Sequence, residues 1–285
     1  MPAWWAAGAV RRGMMTNKAN LDRHDRRKVL RLAAAGLGGL AGGLWPFARS
    51  WQAMASGAVP WSYGGQEGPS HWGQLAPAYQ ACGQGKRQSP IDLAAAHLGQ
   101  AADLTLDWHP CRARLSNTGH TLQLDPENGS ATSKLKLAGR DFTFQQLHFH
   151  HPSEHAVAGK RWPLEAHFVH KAAKGDGLAV LAVLFRPGRA NDLLGRLLAR
   201  MPMKPGTVVL DGISDLAQLL PRGAASYRYA GSLTTPPCSE IVDWVVFRDP
   251  IEAGVGQIQR FAQVFTMNAR PLQPLDGRNV TVDLF

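Results

Sequence analysis

The 285-residue sequence holds only three cysteines and lacks any apolar run suited to crossing a bilayer. Its most continuous apolar stretch, LAAAGLGGLAGGLWPFA at 32–48, is interrupted by five glycines and makes a poor spanning helix. After residue 55 there is no low-complexity linker, no internal repeat and no second charge regime. The remainder therefore reads as one unit, which its length allows. A basic surplus is also missing from that unit. The net charge is +10, but residues 1–55 carry nine Lys/Arg against two Asp/Glu, and the rest carries 22 against 19. Basicity confined to one end argues against nucleic-acid binding by the body of the protein.

What residues 1–55 do contain is an export pattern. DRRKVLR (Asp25 to Arg31) precedes the glycine-rich apolar run, and Ala53-Met54-Ala55 follows as a small-residue cleavage site. The pair Arg26-Arg27 resembles the twin-arginine form of such a signal. The expectation is a leader over 1–55, a mature domain over 56–285, and a destination outside the cytoplasm: periplasmic or secreted, with no stable membrane insertion after processing. Residues 1–13 add nothing to the signal, which makes Met14 or Met15 an alternative start.

Short segments broken by Gly, Pro, Asn and Asp dominate the mature part. Apolar alternation predicts strands at 103–108, 121–124, 134–137, 142–150, 164–170, 178–185, 207–210 and 241–247. The segment 178–185 is apolar on both faces and predicts a covered central strand. Helical spacing marks 191–200, with Asn191 as N-cap, then 215–220 after Ser214, then 256–265. The expected class is mainly β, with a few short surface helices. Cys82, Cys111 and Cys238 suit an oxidising compartment loosely, and spacing alone does not choose a pairing.

The segment QQLHFHHPSEH (145–155) puts four histidines into eleven residues. Side chains at i and i+2 of a strand share a face and stand about 6.6 Å apart along it. His148 and His150 can therefore converge on one ion at about 2.0–2.1 Å, the usual zinc–nitrogen length. Gln146 lies on the same face and can fix a ring tautomer from outside the coordination sphere. Downstream, Glu165 and His167 repeat the spacing, so an antiparallel partner strand would bring His167 to the other two rings. Three histidines leave the fourth tetrahedral position open, as in catalytic zinc. An isolated HxH pair is weak evidence for metal; two strands that each carry a ligand and its partner are much stronger. His151 and His170 have the wrong parity, and His155 lies beyond Pro152, where it could buttress Glu165.

Read in order, WSYGGQEGPSHWG (61–73), QSPIDL (88–93), the histidine segments of 145–170, YAGSLTTPPCSEIVDW (229–244) and QPLDGR (273–278) resemble the α-class carbonic anhydrases, over about residues 60–280. The leader resembles those of secreted bacterial members. The resemblance implies a single domain with a large twisted, mostly antiparallel central sheet and zinc at the bottom of a conical cleft. It implies reversible hydration of CO2 to bicarbonate by zinc-hydroxide attack, with His148, His150 and His167 as ligands and Gln146 and Glu165 as their outer partners. Thr234 and Glu154 would orient the attacking oxygen, and His120 would shuttle the proton. Tyr63 and Asn117 would order water. Thr235 would meet bicarbonate, and Val169, Val180, Leu233, Val242 and Trp244 would form an apolar wall for CO2. The resemblance also pairs Cys82 with Cys238, leaves Cys111 without a role, and allows a homodimer. Rivals on the same residues are an ester-hydrolysing zinc enzyme, a catalytically silent binding domain and a zinc store; the last needs no LTTPP segment.

Overall fold

The computed structural model describes residues 59–99, 103–127, 133–212 and 214–283. The leader expected at 1–55 lies outside the described residues. Thirteen strands form one mixed sheet. They are β1 (His97–Leu98), β2 (Leu104–Asp107), β3 (Ala113–Asn117), β4 (Leu122–Pro126), β5 (Lys134–Leu137), β6 (Arg140–His150), β7 (Leu164–Ala172), β8 (Leu178–Pro187), β9 (Gly206–Val209), β10 (Ser226–Gly231), β11 (Val242–Phe247), β12 (Ile251–Ala253) and β13 (Thr281–Asp283). The order across the sheet is β1-β13-β10-β11-β8-β7-β6-β4-β3-β9, with β2 on β5, β5 also on β6, and β12 on β8. Most pairs are antiparallel; β1–β13, β8–β11 and β8–β12 are parallel.

The three long strands β6, β7 and β8 lie together in the sheet: β7 and β8 are covered on both faces, while β6 alternates buried Phe and Leu with polar residues. In β8 every residue from Leu178 to Phe185 is buried, as its unbroken apolar run predicts. Alternate residues feed two cores. Phe168, Leu181, Val183 and Phe185 enter the larger core, under the helices α1 (Asp192–Arg200) and α2 (Val255–Val264). Val169, Val180, Ala182, Val242 and Trp244 enter the smaller core on the opposite face. Helix α1 begins where expected, with Asn191 Oδ1 accepting from Leu194 N at 2.9 Å, and buries Leu193, Leu194, Leu197 and Leu198.

Strand β6 is continuous but not regular. Its pairing with β7 shifts register between Phe144 and Gln146. This bulge inverts the parity along the strand. Phe142 and Phe144 before it, and Leu147 and Phe149 after it, all enter the larger core. Without the extra residue, the phenylalanines and the histidines would face the same way.

Some expected elements differ. The helix expected at 215–220 is a single 3-10 turn, Leu216–Leu219, capped by Asp215: Asp215 Oδ1 accepts from Ala217 N at 3.1 Å. Pro221 follows too closely for a longer helix. Strands β1, β3, β10, β12 and β13 were not expected: β1, β12 and β13 are two or three residues long, and β3 and β10 mix polar residues or glycine into their runs.

Cys82 and Cys238 form a disulfide with a Cα–Cα separation of 5.0 Å, while Cys111 is free and buried. The bridge ties the short helical turn Ala81–Gln84 to the loop between β10 and β11. Closing a loop of this length stabilises by roughly 5 kcal/mol in the chain-entropy account, an upper figure. Replacing Cys82 with Ser should lower the melting temperature by about 10 °C or more under oxidising conditions. In reductant the variant and the parent should melt together; an equal gap in both buffers would assign the loss to packing.

Candidate metal centre

The β6–β7 ladder places His148 directly opposite His167, and His150 opposite Glu165. The three imidazoles converge on the same face, with ring centroids 4.9 Å (His148–His150), 5.1 Å (His148–His167) and 4.5 Å (His150–His167) apart. One ring nitrogen from each lies within 4.8 Å of the other two.

Hydrogen bonds on the far side of each ring select which nitrogen faces inward. His148 Nδ1 meets Gln146 Oε1 at 2.8 Å, so Nε2 is presented. His150 Nδ1 meets the Asn268 carbonyl at 2.7 Å, which again presents Nε2. His167 differs: Nε2 meets Glu165 Oε1 at 2.7 Å, so Nδ1 points into the cluster. His150 Nε2 is fully buried and has no hydrogen-bond partner in the protein. An orphaned imidazole nitrogen is costly unless a metal or another donor satisfies it. Burial pushes His148 well below its ordinary 6.5, with the neighbouring His150 and His167 adding to the effect, and burial likewise lowers His150. The neutral rings that result are the form a cation requires. Three ring nitrogens on carbonyl and carboxylate supports form a donor set that fits zinc.

Glu165 is fully buried and central to the support. Burial alone would raise its pKa, but the rings of His155 and His167 reverse this and hold the carboxyl well below the usual carboxylate range. Its Oε1 lies 2.6 Å from His155 Nδ1, and its Oε2 accepts from the His155 N–H at 2.9 Å. The network continues from His155 Nε2 to the Tyr229 hydroxyl at 2.7 Å and on to Ser89 Oγ at 2.9 Å. His155, Glu165 and His167 also lie close enough to form a second metal-like group. Their nitrogens already bond to one carboxylate oxygen, so this group is a hydrogen-bonded support. His170 sits on the opposite face among Trp108, Phe144 and Phe168, as its parity requires.

The other expected residues surround the cluster unevenly. Val169, Val180 and Trp244 lie side by side across β7, β8 and β11, in the same row as Gln146. Val242 is two residues along β11 on the same face, and Leu233 packs against this group. The Trp244 ring lies 4.9 Å from the His167 ring. Thr234 is buried, and Thr235 closes a turn by accepting from Cys238 N at 2.9 Å. Glu154 is buried; its Oε1 accepts from Arg270 N at 2.8 Å. Its Oε2 has no partner and lies 3.5 Å from His150 Nε2. His120 stacks on Trp61 at 3.9 Å and 10°, with Tyr63 edge-on at 6.4 Å, and burial lowers its pKa from 6.5. Asn117, expected to order water, is buried at the end of β3. It donates to the Pro202 carbonyl and accepts from Gly119 N, both at 2.9 Å, which holds the turn carrying His120.

Two groups at the site went unread in the sequence. Asn268 supplies the carbonyl behind His150, and its side chain donates to the carbonyls of His120 and Phe149. A backbone acceptor 118 residues from its ring leaves no residue-type signal. Arg270 supplies the N–H to Glu154, again through backbone.

The sequence profile of the eukaryotic-type carbonic anhydrases matches residues 67–283. A carbonic anhydrase of Nostoc sp. is 42% identical over 229 residues, covering 78% of this chain and 85% of its own length. The α-carbonic anhydrase of Thermovibrio ammonificans, solved with the inhibitor sulfanilamide, superposes with a TM-score of 0.75 at 41% identity, covering 79% of this chain and all of the other. Dioscorin dioA3 of Dioscorea japonica is 35% identical over 227 residues, 76% of this chain and 83% of its own.

Replacing His150 with Ala should remove the nitrogen that has no protein partner and with it stable zinc retention. Metal analysis after dialysis should find less than about a tenth of the parent's zinc. Full occupancy in that variant would remove His150 from the donor set.

Proposed function

The chain belongs to the α-class, eukaryotic-type carbonic anhydrase family, and from that premise we propose that it hydrates CO2 reversibly to bicarbonate at a zinc ion held by His148, His150 and His167. The single observation that carries this reading is the convergence of three imidazoles, His148 half-buried and His150 and His167 buried, whose outer nitrogens are all engaged and whose inner nitrogens face one another. Bound there, zinc would supply Lewis-acid activation of water at neutral pH, the chemistry for which this family is a standard example.

The chain's own residues do the rest. Val169, Val180, Leu233, Val242 and Trp244 form an apolar shelf beside the histidines. Such a shelf suits CO2, which carries no charge and accepts hydrogen bonds weakly, and it keeps ordered water from the same space. Thr234 has one hydroxyl proton. Given to the unpartnered Glu154 Oε2, that proton leaves only lone pairs toward the reacting oxygen. Thr234 can then only accept, so it selects and aims an oxygen that still carries a hydrogen. Thr235 stands next in the chain to meet bicarbonate. His120 is the proton exit: half-buried, stacked on Trp61, and held below 6.5 by burial, it releases a proton readily to buffer near neutrality. Tyr63 borders its path.

Export supports the same reading from another side. The disulfide belongs to an oxidising compartment, and among the described residues no helix is long and apolar enough to cross a membrane. A periplasmic or secreted enzyme, delivered by the twin-arginine-like leader, accounts for both. A homodimer is compatible with this and is read from the resemblance alone.

Stopped-flow CO2 hydration on the 56–285 form should show catalysis that a zinc chelator abolishes and added zinc restores. Chelator-resistant turnover, or none at full zinc loading, would sink the proposal. Replacing His120 with Ala should slow turnover roughly tenfold or more in dilute buffer, within the range for positioned proton transfer, and imidazole should restore it. Unchanged turnover in dilute buffer would remove His120 from the exit.

A further inference from the structure

Arg270 is 1% exposed, and a guanidinium so deeply buried is retained only where good hydrogen bonds offset its desolvation. Its Nη1 donates to Gln88 Oε1 at 2.9 Å and to the Ser89 carbonyl at 2.7 Å, and its Nη2 donates to the Cys82 carbonyl at 2.8 Å. The guanidinium also lies over the Trp72 ring, 5.6 Å from the centroid. None of these partners is a carboxylate. What links Arg270 to the site is its own backbone N–H, which donates to Glu154 Oε1.

That bond breaks the symmetry of the carboxylate. It takes Oε1 and leaves Oε2 without a partner, 3.5 Å from His150 Nε2 and 3.9 Å from His167 Nδ1. Gln88 connects the same guanidinium to the opposite side of the site. While its Oε1 accepts from Arg270, its Nε2 donates to the Cys238 carbonyl at 3.1 Å. Cys238 N in turn donates to the Thr235 carbonyl, one residue from Thr234. Glu154 thus hangs from Arg270, and the Thr234 loop hangs from Gln88.

We infer that Arg270 is a positioning residue, which with Gln88 forms a buried clamp setting Glu154 Oε2 and the Thr234 loop in register with each other. The inference rests on the role proposed above for Glu154. The planar fork of arginine is needed because three acceptors from two directions must be met at once; a lysine keeps the charge and loses that geometry.

The test is a double-mutant cycle on the zinc-loaded enzyme, backed by NMR on the zinc-free protein. Arg270→Lys should lower kcat/KM for CO2 hydration by roughly 10- to 100-fold, the scale expected for a small misplacement of a catalytic group. Zinc content and the buffer dependence of turnover should stay as in the parent. Combined with Glu154→Gln, it should cost little beyond Glu154→Gln alone, because both act through one carboxylate. In the zinc-free protein, the amide proton at position 270 should move upfield in Glu154→Gln and move again in Gln88→Ala. Additive losses, or an unmoved amide signal in Gln88→Ala, would overturn the clamp. A harmless Glu154→Gln would instead strike the role proposed for Glu154. If Arg270→Lys does not fold, Gln88→Ala, which removes the acceptor for Arg270 and the donor to Cys238 and Glu240 but no charge, carries the same cycle with the same readings.

Discussion

The pairing of β6 with β7 is the constraint on which everything else depends. Side-chain period in a strand is two, so a slip of one residue moves every group to the other face. With His148 opposite His167, three rings share one face. With His148 opposite Ala166 or Phe168, His167 would point to the opposite face from His148 and His150. The bulge between Phe144 and Gln146 makes this register compatible with burial. It lets one strand deliver phenylalanines to the core at its start and histidines to the opposite face at its end. The apolar residues thereby pin the polar ones: Leu147 and Phe149 cannot leave the core without carrying His148 and His150 with them.

A buried polar cluster survives in such a sheet only if its members satisfy one another. Glu165 has the most severe case, since full burial penalises its charge and only the two flanking rings restore it. The chain His167–Glu165–His155–Tyr229–Ser89 distributes that debt across the smaller core and fixes each ring in one orientation. The atoms left unsatisfied are therefore informative. Among them, His150 Nε2 and Glu154 Oε2 lie 3.5 Å apart, where a ligand and a reacting oxygen would be met.

Legibility in the sequence followed the physical range of each interaction. Strand β8 could be read because burial on both faces writes an unbroken apolar run, β6 and β7 because their apolar residues alternate, and HxH with ExH because the strand period is local. Strand β3, ARLSN, was missed because its outward Arg114 and Ser116 face solvent and resemble loop composition. Strands β10 and β13 pair with each other across more than 50 residues, and their polar residues hide the alternation. The support for His148 and His167 was visible, since Gln146 and Glu165 are each two residues from the ring they hold. The support for His150 was not, because a backbone carbonyl looks the same at every residue. The assignments of Thr234, Glu154 and His120 came from likeness to a family and not from any pattern in the chain.

The segment Asn268–Arg270 shows why such distant supports matter more than their lack of signal suggests. Within three residues it holds the His150 ring through one carbonyl, the His120 turn and the Phe149 carbonyl through one amide side chain, and Glu154 through one N–H. It has no regular secondary structure to keep it in place. Its rigidity must come from side-chain anchors, and Arg270 is the largest of these, bonded to the segment that also carries Cys82. The disulfide, the buried guanidinium and the three converging imidazoles are thus parts of one framework. Loops placed at the ends of β-strands ordinarily move more than the strands do; here Asn268 and Arg270 are tied to the sheet and to Glu154 by buried hydrogen bonds, the kind of support that a preorganised reacting centre requires.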